Sequence, residues 1–127
     1  MTAEGFGLSR IRQIHVSVKD VDRSVKFYRD VLGMKFLFQF PGMAFFDCDG
    51  VRLYLAVPER PEFDRTSLIY YSVSSIQDAV KALEGRSVKF HGRPHIVHQD
   101  GTHELWVAFF QDPDANGLAL MSEVPKG

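Results

Sequence analysis

Three histidines, His95, His98 and His103, fall close together in the second half of the chain, and Glu104 follows the last of them. Imidazoles and carboxylates grouped in this way are the usual donors for a transition metal, and they also carry acid–base chemistry near neutral pH. A two-residue turn at Asp100-Gly101 would set His98 opposite His103, with Cβ atoms about 5 Å apart, and would leave His95 on the other strand face. The spacing is looser than that of dedicated zinc motifs, so a solvated hairpin is the competing reading. Glu104 is likewise either a base or a strand-edge surface charge. A second group, Gln13 and His15, lies in an alternating stretch near the N-terminus. Cys48 stands between Asp47 and Asp49, whose charges raise a thiol pKa and argue against a nucleophile.

The elements that must position these residues are written twice. MAFFDCDGVRLYL (Met43–Leu55) and VAFFQDPDANGLALM (Val107–Met121) share Ala-Phe-Phe, an acidic glycine-containing turn and a strand alternating around leucines. Upstream, QIHVSVKDV (Gln13–Val21) corresponds to LIYYSVSSI (Leu68–Ile76). Gln13–Lys19 alternates and reads as a strand. Asp20 can cap a helix whose stripe is Val21, Val25, Tyr28 and Leu32, ending at Gly33. MKFLFQF, MAFFDCD and VRLYLAV follow as a meander. The second half repeats the order, with Ser75 and Asp78 resembling a capping box and Ile76, Ala79, Val80 and Leu83 forming the helix stripe. The expected architecture is α+β, two tandem β-α-β-β-β modules at about 10–57 and 67–124, joined by a polar linker, Pro58–Thr66. Residues 1–9 read as a loose lead-in.

The chain has 127 residues, 45% hydrophobic and 24% charged, with a formal charge of −1. That suits one globular domain and gives no basic stripe for nucleic acid or an anionic membrane. Apolar runs such as Leu105–Phe110 are too short to span a bilayer, and the N-terminus lacks the pattern of a signal peptide. With a lone cysteine, the expectation is a cytoplasmic protein without a disulfide.

The two modules, the strand followed by DVDRSVKFYRDVLG and the closing FFQDPDANGLALMSE resemble the vicinal oxygen chelate superfamily, over about residues 10–124. This is the group of glyoxalase I, bleomycin and fosfomycin resistance proteins, and extradiol dioxygenases. The resemblance implies curled mixed sheets that enclose a cup with helices outside, paired within a chain or exchanged across a homodimer. In metal-binding members it places ligands on the first and last strands of each module, at positions that fall here on Gln13, Tyr54, Leu68 and Ala119. Only Gln13 of these can ligate a divalent ion in the family's way, so no cofactor is expected.

Strand parity sends Gln13, His15 and Ser17 into such a cup and Ile14, Val16 and Val18 toward the helix. Of the eleven Phe, four Tyr and one Trp, most must be core. Phe36, Phe38 and Phe40 alternate along one strand. One member of each pair, Phe45/Phe46 and Phe109/Phe110, must face the cup together with Tyr54 and Tyr70, and Trp106 is assigned there too. Such a lining suits a planar or greasy organic molecule, and Arg52 shares Tyr54's face, ready for an acidic group. Asp112-Pro113-Asp114 reads as turn chemistry. The expected ligand-binding set is therefore Gln13, His15, Arg52, Tyr54, Tyr70 and Trp106. Two functions remain open: binding of a small, partly aromatic molecule without metal, or a glyoxalase-like lyase or isomerase whose rearranged metal site draws on Gln13, His15, His98, His103 and Glu104. A dioxygenase would need two histidines and a carboxylate, which the aligned positions do not supply.

Overall fold

Alternation followed by a capped amphipathic stripe and a meander yields the same element order twice in the computed structural model, which describes residues 7–65 and 67–126. The first module runs β1 (Gln13–Ser17), α1 (Val21–Lys26), β2 (Lys35–Phe40), β3 (Met43–Cys48) and β4 (Val51–Ala56). The second runs β5 (Ile69–Ser72), α2 (Ile76–Glu84), β6 (His95–Gln99), β7 (His103–Gln111) and β8 (Gly117–Pro125). The outer part of the lead-in, residues 1–6, and the last linker residue, Thr66, lie outside the described residues. No helix among the described residues is long and apolar enough to cross a membrane.

Each module is an open four-stranded mixed sheet, ordered β1-β4-β3-β2 and β5-β8-β7-β6. The first strand of each pairs in parallel with the last, and the meander strands pair antiparallel. Asp20 caps α1 by accepting from the Arg23 amide, and Ser75 caps α2 by accepting from the Asp78 amide, satisfying orphan donors of the first turn. Beyond Lys26 the first helix widens into a π-turn, Phe27–Val31, in which the Leu32 amide donates to the Phe27 carbonyl. Asp49-Gly50 closes the β3–β4 hairpin with φ of 50° and 92°, the left-handed pair that a two-residue primed turn requires.

One core joins the modules. Val16, Leu53, Leu55 and Phe46 from the first sheet and Val21, Val25 and Tyr28 from its helix form a single cluster with Ile76, Val80 and Leu83 of α2 and Ala108, Phe110, Leu118 and Leu120 of the second sheet. All of this lies on the helix faces of the sheets. The other faces are left open.

The two outer strands depart from simple alternation. In β2, Phe36 pairs with Phe46 but Phe38 pairs with Phe45, the register shifting at Leu37. The bulge sends Phe36 into the core against Phe46, 5.6 Å between ring centroids, while Phe38 and Phe40 go to the open face. Strand β6 shifts likewise between Ile96 and His98.

Candidate functional site

Strand pairing builds a continuous aromatic row across the open face of the first sheet. His15 on β1 is opposite Tyr54 on β4, Tyr54 is opposite Phe45 on β3, and Phe45 is opposite Phe38 on β2. The rings touch in that sequence: 5.3 Å from His15 to Tyr54, 4.9 Å and nearly parallel from Tyr54 to Phe45, and 4.7 Å from Phe45 to Phe38. Phe40 extends the row, 5.5 Å from Phe38. Phe38 and Phe40 are 41% and 55% exposed, so this is an uncovered aromatic surface and not a second core.

One row nearer the β3–β4 turn the same face is polar. Gln13, Arg52, Asp47 and Lys35 stand opposite one another in strand order. The Arg52 guanidinium lies 5.6 Å from the Phe45 ring centroid, and its Nε is buried with no hydrogen-bond partner. Asp47 turns instead to its own hairpin, where Oδ1 accepts from the Gly50 amide at 3.1 Å. Gln13, His15 and Tyr54 also line a depression of ≈ 290 Å³ walled by Ala56, Pro58 and Phe63. The linker is held there by Ser17, whose Oγ donates to the Phe63 carbonyl at 2.9 Å.

On the second sheet the open face carries Tyr70, Phe109, Leu105, Val107 and Met121 around an apolar depression of ≈ 420 Å³. Tyr70 and Phe109 meet edge-on at 6.2 Å. Tyr54 and Tyr70 thus line separate depressions. Of the expected ligand-binding set, Gln13, His15, Arg52 and Tyr54 come together, and Tyr70 stands on the other open face.

Trp106 does not join them. It shares the side of Ala108 and Phe110, packs on the core, and its indole Nε1 donates to Glu104 at 3.3 Å. Glu104 therefore lies on the helix side of the sheet as well, away from the open face.

The histidine cluster is also rearranged. The β6–β7 turn closes by the Asp100 amide donating to the His103 carbonyl at 3.0 Å, so Gln99 pairs with Glu104 and His98 with Leu105, not with His103. The cause is Asp100, whose carboxylate accepts from the Thr102 and His103 amides and from the Thr102 hydroxyl, pinning a longer turn. Those bonds pull the Asp100 carboxyl down to about 2. The bulge in β6 places His95 with Val107 and His98 with Leu105, hence both on the open face and not on opposite faces. No group of three or more His, Cys, Asp or Glu among the described residues is arranged to hold a metal. At the positions the resemblance assigns to ligands, Tyr54 is stacked on Phe45, Leu68 is hydrocarbon, and the Ala119 methyl is fully buried. These residues do not fit a divalent ion held in the family's way. Burial and then Asp47 and Asp49 raise the Cys48 thiol, which keeps it protonated and unreactive.

The turn Asp112–Asn116 does more than reverse the chain. Asp112 is buried, and its carboxylate accepts from the Tyr28 hydroxyl, the Asn116 side-chain amide and the amides of Asp114 and Asn116. Burial and the Asp112 charge push the Tyr28 phenol far above its usual range, so it remains a neutral donor. Asp114 reaches the start of α1, accepting from the Lys19 amide, the Arg23 guanidinium and the Ser24 hydroxyl. Asn116 donates to the Ser17 carbonyl at 2.9 Å. This clasp fixes β1, and with it Gln13 and His15, against the second module.

The superfamily model for Glyoxalase/Bleomycin resistance protein/Dioxygenase matches residues 10–120. The chain belongs to that superfamily. Among solved structures of the superfamily's fold, a lactoylglutathione lyase from Agrobacterium tumefaciens is 18% identical, with a TM-score of 0.75 over 91% of this chain and 95% of its own. A glyoxalase/bleomycin resistance protein/dioxygenase from Nocardioides is 21% identical, with a TM-score of 0.75 over 98% and 91%. An antibiotic binding protein from Streptomyces sp. CB03234 is also 21% identical, with a TM-score of 0.69 over 94% and 99%. At these identities the likeness shows the superfamily fold alone, on which both an enzyme and a binding protein are built.

Proposed function

We propose that the protein binds a small, partly aromatic organic molecule on the open face of its first sheet, as a homodimer, and without the superfamily's four-ligand metal site. The observation that carries this reading is the unbroken row His15–Tyr54–Phe45–Phe38 across all four strands, half-buried at His15, Tyr54 and Phe45 and exposed at Phe38. Such a surface gains from covering by a flat apolar ligand, while His15 and Gln13 supply polar atoms that fix its orientation. The antibiotic binding neighbour supports a binding role on this fold. An open face on each sheet supports the dimer: the second sheet of another copy, with Tyr70 and Phe109, would close the cup over the first.

A thermal-shift screen of planar aromatic compounds, repeated on Tyr54→Ala, tests the reading. Stabilisation of the wild type that is lost in the variant is expected; equal stabilisation of both would move the site elsewhere. Elemental analysis after purification without chelator separates this from the lyase reading. Stoichiometric metal that restores stability after stripping would reject binding without metal.

A further inference from the structure

We infer that the ligand is an aryl monocarboxylate, its acid group held by Arg52 and Gln13 and its ring laid on the His15–Tyr54–Phe45 row; this rests on the binding reading above. Arg52 makes no ion pair among the described residues, although Asp47 stands opposite it across the strands. The ion pairs among the described residues are Arg23–Asp114, Arg29–Asp30 and Arg60–Glu62, and Arg52 is in none of them. Its Nε is buried and without a partner. A buried donor left unmade is costly, and the guanidinium carbon lies 5.6 Å from the Phe45 ring centroid, which keeps the group beside the aromatic row. The fork is thus held beside the ring and lacks an acceptor at Nε.

A carboxylate matches that fork with two parallel hydrogen bonds. Gln13, directly opposite Arg52, adds an amide N–H. Asp47, next in the row, turns to Gly50 but leaves a negative charge nearby, which disfavours a dianion such as a phosphate ester. The polar row and the aromatic row are two residues apart along β1, β3 and β4, about 6.5–7 Å. A benzene or naphthalene ring bearing a carboxylate directly, or through one carbon, spans that interval. A neutral aromatic would fill the ring position and leave Arg52 unsatisfied.

Isothermal titration with 2-naphthoate, 2-naphthamide and 2-naphthyl phosphate tests this, on the full-length wild type and on Arg52→Gln and Arg52→Lys. The wild type is expected to prefer naphthoate over naphthamide by roughly 10- to 100-fold, the value of a charge-assisted pair. Arg52→Gln should erase that preference by weakening naphthoate far more than naphthamide, and Arg52→Lys, which keeps the charge but not the fork, should retain part of it. Equal binding of acid and amide, unaltered in Arg52→Gln, would overturn the inference and leave the aromatic site standing. Tighter binding of the phosphate would overturn the monocarboxylate. Failure of every naphthalene to bind the wild type would remove the aromatic site, and this inference with it.

Discussion

Tyr54 is the residue on which the aromatic row turns, since it touches His15 on one side and stacks on Phe45 on the other. Each aromatic contact is worth about 0.5–1.5 kcal/mol beyond area burial, so Tyr54→Ala should weaken an aromatic ligand by roughly 10-fold or more. Titration calorimetry checks it. The melting temperature should fall little, because Tyr54 is off the core face. In the second module, Asp100 predicts a pH effect. Its folded pKa of about 2 lies below its ordinary value of 3.8, so the stabilisation of the β6–β7 turn is complete above that value and is lost as pH falls toward 2. Protection of the Thr102 and His103 amides, measured as exchange relative to the intrinsic rate at the same pH, should fall in that window, and in Asp100→Ala at neutral pH; undiminished protection at pH 2 would contradict it. Much of the first module's site could be read from parity alone: once Val16 and Leu53 are core, Gln13, His15, Arg52 and Tyr54 must share the other face. Trp106 obeyed the same rule, since it has the parity of Phe110. Composition drew it toward the cup; packing put it against the core.

Between elements, the signals that fail are those without a periodic signature. The bulges at Leu37 and between Ile96 and His98 leave the letters of the sequence alternating while the faces swap. Phe36, Phe38 and Phe40 therefore read as one face and occupy two. The clasp was equally hidden, because Asp112, Asp114 and Asn116 are ordinary turn residues until a distant partner is known. Asp114 connects three groups of the first module through a side chain only 3% exposed. Asp114→Ala leaves the Lys19 amide and the Ser24 hydroxyl without their acceptor and should cost about 1–3 kcal/mol in urea denaturation. A loss below the experimental error would mean that the core alone docks the modules.

For the whole molecule, the duplication made both modules legible, but not how they pair, because the linker length suits either arrangement. A cup shared between copies makes a specific prediction. Homodimers of Tyr54→Ala or of Tyr70→Ala would have every cup damaged. Mixed after unfolding and refolding together, the two variants should regain some sites of wild-type affinity, since each heterodimer contains one cup with both tyrosines. No recovery, or a monomer by light scattering, would rule the shared cup out.

The asymmetry between the two hairpin turns has a consequence for the covalent chain itself. The β3–β4 turn is a tight Asp-Gly reversal that ends in its own sheet, whereas the β7–β8 turn reaches across to Ser17, Lys19, Arg23, Ser24 and Tyr28. With a common core behind it, that embrace makes the peptide link between the halves mechanically redundant. A glutamate-specific protease that nicks the exposed segment after Glu59 should leave two fragments that travel together through gel filtration and part only when denatured.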